Sequence, residues 1–169
     1  MNIALIGYRG SGKTTIGKKL ARKLKMKFID SDRAIEKNTG KSISAIFRKE
    51  GEKKFREYEK KAIAQIAKLD NYVIACGGGA VLDIASMRLL KKNSITFYME
   101  AGIDTIYRRT RKSNRPRLTG IKSLKDEIGV MLKKRIPLYG KYADFAVNAE
   151  NNPAKVLNEI TEKIRWAIR

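Results

Sequence analysis

Gly7-Tyr8-Arg9-Gly10-Ser11-Gly12-Lys13-Thr14-Thr15 is the stretch that decides the fold. It follows a short apolar run, residues 3–6, and leads into a helical pattern. This spacing predicts a phosphate-binding loop, because glycines let successive N–H groups turn toward phosphate oxygens while Lys13 reaches the terminal phosphates. The hydroxyl group of Thr14 is then available to Mg²⁺. The N-terminus of the following helix adds the positive end of its dipole at the same place.

The composition limits the class of protein. At 169 residues the chain is long enough to bury a substantial core, and we expect one domain over 1–169. The single cysteine, Cys76, has no internal disulfide partner, and without histidine a zinc site is not credible, so any metal should be a hard, oxygen-bound ion. No apolar run approaches the length of a membrane span, and the N-terminus enters a strand at once. We therefore expect a cytoplasmic protein with no membrane partner.

The charge is unusual, because 38 Lys and Arg against 17 Asp and Glu give a formal net charge of +21. Such a field attracts nucleic acid, acidic lipid headgroups or anionic small molecules. The lysines are spread over helical segments as solvated faces, however, and no basic motif with interleaved aromatic residues occurs. We attribute most of the charge to a lysine-rich surface and expect no specific nucleic-acid partner.

Short apolar runs alternate with amphipathic segments along the chain. In the first predicted helix, Ile16, Leu20 and Leu24 recur at four-residue spacing. Strands are predicted at about 3–6, 27–29, 72–76, 94–99 and 143–147. The last helix is predicted to open at Pro153. Strands that alternate with helices indicate an α/β fold with a parallel sheet, right-handed crossovers and helices on both faces.

Two carboxylates, Asp30 and Asp32, follow the second strand. Open parallel sheets bind their ligands at the carboxyl ends of their strands. We interpret both residues as ending the strand, with their side chains leaving the extended backbone on the same side. The alternative is helix capping, which would explain one aspartate more easily than both.

Between the second and third strands the chain has more helix than a simple crossover needs. The predicted parts are a short helix closed by Gly40, a second capped by Ser42, a break at Gly51 and a longer helix from about Glu52 to Lys68. Within the longer helix Arg56 and Glu59 are three residues apart, close enough to pair. The excess helix predicts a small substrate-binding subdomain, about 32–60, over the carboxyl edge of the sheet.

The triple glycine Gly77-Gly78-Gly79 follows the third strand directly. Three consecutive glycines cost conformational entropy, so we expect bare backbone to approach a ligand there rather than to form a simple turn.

Six basic residues between Arg108 and Arg117 have no acidic residue among them. Self-repulsion of this kind favours a lid, about 111–121, which closes when polyphosphate neutralises it. A basic surface loop is the alternative. The helix after the lid is expected to end at Pro137, just after Arg135.

In this order and spacing the motifs resemble those of the shikimate kinases, a type of P-loop kinase, over nearly the whole chain. The residues that carry the resemblance are Gly10-Ser11-Gly12-Lys13-Thr14-Thr15, Asp30-Ser31-Asp32, Gly51-Glu52, Phe55-Arg56, Glu59, Gly77-Gly78-Gly79, Arg115-Pro116, Arg135 and Pro137-Leu138-Tyr139. The resemblance implies a P-loop NTPase fold with sheet order 2-3-1-4-5. It also implies ATP and Mg²⁺ as cofactors, and phosphoryl transfer from ATP to the 3-hydroxyl group of shikimate.

The resemblance further implies roles for individual residues. ATP would be bound by Gly10, Ser11, Gly12, Lys13, Thr14, Thr15, Arg109, Arg115, Asn152 and Pro153. Shikimate would be bound by Asp32, Arg56, Glu59, Gly77, Gly78, Gly79 and Arg135. Catalysis would depend on Lys13, on Asp32 at the acceptor hydroxyl, and on Arg115 from the lid. Mg²⁺ would be held by Thr14 and, through water, by Asp30.

Two details concern the arginines. We expect Arg56 to pair with Asp32 and keep it ionised. Arg117 stands where an apolar residue usually follows the Arg-Pro pair of the family, so the packing of the lid is expected to differ.

Other functions remain open at this point. Another small P-loop kinase, for gluconate or a nucleoside monophosphate, shares the loop and the lid but does not explain Arg56, the triple glycine and Arg135 together. A non-catalytic, basic nucleic-acid-binding relative is the second alternative. Convergence of Asp32, Arg56 and Arg135 on one pocket facing the loop would separate the kinase from this relative. As partners we expect only shikimate and ATP, and we expect a monomer.

Overall fold

The computed structural model describes residues 1–114 and 116–168, and it forms a five-stranded parallel sheet with the order β2-β3-β1-β4-β5. The strands are β1 Asn2–Ile6, β2 Lys27–Asp30, β3 Tyr72–Ala75, β4 Ser94–Glu100 and β5 Phe145–Asn148. The order implied by the resemblance is therefore confirmed. Every pairing is parallel, so the carboxyl ends of all five strands meet at one edge of the sheet.

Helices connect the strands and cover both faces of the sheet. They are α1 Lys13–Leu24, α2 Ser31–Thr39, α3 Ile43–Ile66, α4 Ile84–Lys91, α5 Ile103–Thr110, α6 Leu124–Tyr142 and α7 Pro153–Ala167. Side-chain caps begin several of them, among them Ser42 for α3 and Asn152 for α7. Within the described residues no helix combines the length and the hydropathy needed to cross a membrane.

The core consists of two apolar layers, one on each face of the sheet. β1 is buried at every position, as expected for a central parallel strand. Its Ile3 and Leu5 pack with α1 and α7, whereas Ala4 and Ile6 pack with side chains of α3, α4 and α6. The alternation of β1 side chains thus fixes which helices lie on which face, and it anchors the loop that follows the strand.

The predicted breaks between β2 and β3 are confirmed. Gly40 ends α2 in a left-handed conformation with φ 66°, and its N–H bonds to the carbonyl group of Glu36. At Gly51 the backbone leaves the helix with φ 82° and ψ 170°, so α3 is two helices joined at a kink. α2 and α3 share a small apolar cluster of their own, built around Ile46 and Phe55.

The prediction that Pro137 ends its helix is wrong, because α6 continues through it to Tyr142. Pro137 lacks the N–H group that would bond to the carbonyl group of Lys133, but both residues are on the exposed face of the helix. The buried rings of Tyr139 and Tyr142 hold the last turn against the core. Tertiary packing therefore outweighs the local effect of the proline.

Candidate active site

The loop between β1 and α1 has the backbone conformation that its glycines predict. Gly7, Gly10 and Gly12 have φ values of 143°, 81° and 97°, which other residues rarely adopt. The ammonium group of Lys13 lies inside the loop and donates hydrogen bonds to the carbonyl oxygens of Gly7 at 2.7 Å and Tyr8 at 2.8 Å. The loop is thus wound around the lysine side chain.

A cavity of about 710 Å³ opens beside this loop. Most of the residues predicted to bind the nucleotide line it, namely Gly10, Gly12, Lys13, Thr14, Thr15, Arg109, Asn152 and Pro153. Ser11 does not line the cavity; its side chain is buried, and its hydroxyl oxygen accepts from the ammonium group of Lys13 at 3.4 Å. Arg109 donates to the carbonyl oxygens of Gly10 and Ala149, each at 3.2 Å, so it joins the loop to the end of β5.

Thr14 and Asp30 both line this cavity and are hydrogen-bonded to each other. The hydroxyl group of Thr14 donates to Oδ2 of Asp30 at 2.7 Å. The other carboxylate oxygen caps α2 by accepting from the backbone N–H groups of Asp32 at 3.0 Å and Arg33 at 3.3 Å. A hydroxyl group and one carboxylate beside a phosphate site suit Mg²⁺, which takes hard oxygen ligands and obtains the rest from phosphates and water.

The interpretation of Asp32 as part of the strand is wrong, because β2 ends at Asp30 and Asp32 is in the first turn of α2. Because the side chain of Asp30 accepts from the N–H groups of Asp32 and Arg33, the helix begins directly after the strand. This turn separates the two side chains: both line the large cavity, but only Asp32 also faces a second, smaller one.

The second cavity, of about 60 Å³, adjoins the first, and three residues line both: Arg9, Asp32 and Gly78. Predicted acceptor residues converge on it, namely Asp32, Arg56, Glu59, Gly78, Gly79 and Arg135, whereas Gly77 lines only the larger cavity. The sequence reading thus identified six of the lining side chains and backbones. It did not assign the other five lining residues, namely Arg9, Phe47, Phe55, Pro116 and Leu118, of which the two phenylalanines contribute apolar walls.

Arg135 is 3% exposed and donates one hydrogen bond, from Nη1 to the carbonyl oxygen of Gly78 at 3.2 Å. Its Nε and Nη2 atoms have no partner within residues 1–114 and 116–168. The ring of Tyr8 lies 5.6 Å from its Cζ, so the cation is supported by an aromatic face. Buried donors are normally paired, so this guanidinium group is equipped for an anionic ligand.

Arg56 forms its ion pairs on its own helix. Its Nη1 contacts Glu59 at 2.7 Å and its Nη2 contacts Glu52 at 2.8 Å, as the spacing to Glu59 predicts. The expected pair with Asp32 is therefore wrong, because α3 supplies closer carboxylates. Burial raises the pKa of Glu59 above its ordinary value, and the positive charge of Arg56 only partly offsets it.

The triple glycine is explained by space rather than by unusual φ angles. A Cβ at Gly77 would lie 2.7 Å from Oδ1 of Asp32, and one at Gly79 would lie 2.6 Å from Cζ of Arg56. The carbonyl oxygen of Gly78 accepts from Arg135 and from the hydroxyl group of Tyr139, at 2.7 Å. The absence of side chains at the triple glycine therefore lets the charged side chains of Asp32 and Arg56 lie close to the end of β3. From the sequence, only a ligand was expected to approach the backbone there.

Sequence reasoning missed two partners of the lid. Arg9 donates to the carbonyl oxygen of Pro116 at 2.6 Å and to Glu127 at 3.0 Å, and Arg117 donates to Glu127 at 3.0 Å. The linear count found no acid near the basic run, but α6 brings Glu127 back to it in space. The predicted lid arginine, Arg115, lies outside the described residues.

Comparison with known proteins agrees with this geometry. The shikimate kinase family model matches residues 9–165. Shikimate kinase from Nitrosococcus oceani is 44% identical over 165 residues, 97% of this chain and 87% of the relative, and the enzyme from Thermodesulfovibrio yellowstonii is 41% identical over 163 residues, 96% and 92%.

Solved structures give the same result. Shikimate kinase from Acinetobacter baumannii, in complex with shikimate, superposes with a TM-score of 0.93 at 34% identity, covering 98% of this chain and 93% of that one. A gluconokinase from Sinorhizobium meliloti has a TM-score of 0.60 at 14% identity and covers 99% of this chain and 97% of its own, which shows only a shared fold. The chain belongs to the shikimate kinase family.

Proposed function

We propose that this kinase transfers the γ-phosphoryl group of ATP to the 3-hydroxyl group of shikimate, giving shikimate 3-phosphate and ADP. The observation that carries the proposal is the convergence of Asp32, Arg56 and Arg135 on one small cavity beside the phosphate loop. A family member at 34% identity has been solved with shikimate bound. The two arginines suit a carboxylate substrate, because planar guanidinium groups can bind both of its oxygens.

The large cavity takes the nucleotide. The ammonium group of Lys13 exchanges its bonds to the loop carbonyls for the terminal phosphates, and the N–H groups of the loop bind the phosphate oxygens. Thr14 and, through water, Asp30 hold Mg²⁺, which supplies charge neutralisation at the phosphates. Arg109 and the Asn152-Pro153 turn flank the base at the far end of the cavity.

The small cavity takes the acceptor. Arg56 and Arg135 bind its carboxylate, Glu59 orients Arg56, and Asp32 accepts a hydrogen bond from the hydroxyl group that receives the phosphate. Because Asp32 lines both cavities, this hydroxyl group faces the nucleotide. Phosphoryl transfer asks the protein chiefly for alignment and charge neutralisation, so the absence of histidine from the chain is no obstacle.

These roles divide the single domain, 1–169, into functional parts. They are the phosphate loop, 7–15, the substrate-binding subdomain, about 32–60, and the lid, about 111–121, from which Arg115 reaches the phosphates. The protein acts as a monomer in the cytoplasm, without a nucleic-acid partner. Light scattering on a size-exclusion column checks the monomer.

A coupled assay of ADP release tests the function, with shikimate, gluconate and AMP offered in parallel at equal concentration. We expect turnover with shikimate alone, and its loss in Lys13→Ala. A melting temperature close to that of the wild type must accompany this loss, since the lysine donates its hydrogen bonds to carbonyl oxygens of the loop. Turnover with gluconate or AMP in place of shikimate would refute the assignment of the acceptor.

A further inference from the structure

Glu127 on α6 is a completely buried carboxylate, 0% exposed, and it lines neither of the two cavities. Its oxygens accept hydrogen bonds from one residue of the phosphate loop, Arg9 at 3.0 Å, and from three residues of the lid: Arg117 at 3.0 Å, the N–H of Leu118 at 3.3 Å, and the N–H and hydroxyl group of Thr119 at 3.2 and 3.1 Å. A buried charge is costly unless it is paired in this way. Glu127 is therefore held ionised by its partners.

The electrostatics agree with this geometry. Burial by itself would raise the pKa of Glu127, but the hydrogen bonds from Leu118, Arg117 and Thr119 outweigh it and hold the pKa below its ordinary value. The carboxylate consequently carries its negative charge throughout the neutral range.

The partners of Glu127 belong to two functional parts of the molecule. Arg9 is in the phosphate loop, lines both cavities and also donates to the carbonyl oxygen of Pro116 at 2.6 Å. Pro116 and Leu118 line the small cavity from the lid side. Glu127 is thus the common acceptor for the phosphate loop and for the lid segment 116–119.

We propose that Glu127 is a positioning residue that seats the lid segment 116–119 over the acceptor cavity and fastens it to the phosphate loop through Arg9. The proposal rests on the proposed function of that cavity. Glu127 touches neither substrate, so it acts through Leu118, Pro116 and Arg9. Affinity for the acceptor consequently depends on it, and so does the coupling between acceptor and nucleotide.

If Glu127 only stabilised the fold, its neutralisation would be expected to loosen α6 itself and not the lid. The neighbours of Glu127 on α6, Ile128 and Leu132, are buried in an apolar cluster with Tyr8 and Ile106, and this cluster holds the helix in place. The contacts of Glu127 go instead to the lid and the loop. Its neutralisation should therefore release the lid while α6 stays folded.

The test compares Glu127→Gln with Lys125→Gln, a matched control on the same helix. Lys125 pairs with Asp104 at an exposed site, so the control also removes one ion pair of α6. We expect Glu127→Gln to raise the KM for shikimate at least tenfold while kcat changes less than threefold, and Lys125→Gln to change neither. Amide hydrogen exchange without ligands should be faster at the N–H groups of 117–119 in Glu127→Gln only.

A double-mutant cycle with Arg117→Leu shows whether the effect passes through the lid. If the two residues form one tether, the KM of the double variant stays near that of Glu127→Gln instead of rising by the product of the two effects. An unchanged KM in Glu127→Gln, or a melting temperature that falls with no change in exchange confined to 117–119, would overturn the proposal. If the wild type does not turn over shikimate, the proposed function fails instead, and the exchange experiment still decides whether the tether exists.

Discussion

Gly79→Ala tests whether the triple glycine exists to make room for Arg56. The new Cβ would lie 2.6 Å from Cζ of Arg56 and closer still to its Nη1, whereas ordinary contact begins at 3.4 Å, so the guanidinium group must retreat by more than the 0.8 Å that Cζ alone requires. Gly79 has φ −100° and ψ −3°, a conformation that alanine adopts. The conflict is therefore with the end of one side chain and not with the backbone.

We expect Gly79→Ala to weaken the binding of shikimate. A charge-assisted hydrogen bond contributes about 1.5–3 kcal/mol, so its misplacement should raise the KM for shikimate about 10- to 100-fold. Stability should also fall, by about 1–3 kcal/mol, because the Nη1 atom that must move pairs with the buried carboxylate of Glu59. For a chain of this length that corresponds to a fall in Tm of about 2–12 °C.

Steady-state kinetics with varied shikimate, together with thermal melting, provide the assay. Gly140→Ala is the control, since Gly140 is on α6 with nothing within 4 Å of a Cβ there. It should leave KM unchanged and stabilise the helix by up to about 1 kcal/mol. Wild-type KM in Gly79→Ala, or a large loss of stability with unchanged KM, would refute the argument from space.

Arg135→Met should raise the KM for shikimate at least tenfold and spare ATP affinity, because Arg135 lines the small cavity and not the large one, and two of its guanidinium nitrogens have no partner among the described residues; titration calorimetry with each ligand checks this. Asp32→Asn should lower kcat by roughly two orders of magnitude through loss of a positioned base, whereas Asp30→Asn keeps a capping side chain and should raise the Mg²⁺ requirement; exchanged phenotypes would contradict the assignment. Burial raises the pKa of Cys76 to about 12, so at neutral pH its reaction with a disulfide reagent should be at least about 1000-fold slower than that of the urea-unfolded chain, and equal rates would contradict the buried thiol.

What the sequence predicted depended on local spacing. The order of the strands was implied only by the resemblance to a known family, whereas the phosphate loop and the break at Gly51 follow from signals within a few residues of one another. The i, i+3 spacing likewise identified the pair of Arg56 with Glu59. Such features are encoded where they occur, so no knowledge of the folded chain is required.

What the sequence did not predict depends on packing between distant segments. Pro137 was expected to end α6, but the buried ring of Tyr139 keeps the helix going. Asp32 was assigned to β2 because the sequence does not show where the chain turns. In the fold, the N–H group of Asp32 donates to the side chain of Asp30, and this hydrogen bond begins α2. Glu127 was overlooked because its partners are 8 to 118 positions away in sequence, and only the fold brings them together.

The Asp30 carboxylate is shared between two neighbours that have different tasks. One oxygen faces Thr14 and the expected metal, and the other holds the N–H of Asp32 at the start of α2. A substitution of this aspartate therefore affects both tasks together. A relative that replaces it needs another metal contact and another cap for the helix at the same time. Asparagine is the least disruptive replacement, since it can still begin the helix, and an evolutionary route away from metal dependence would be expected to pass through it.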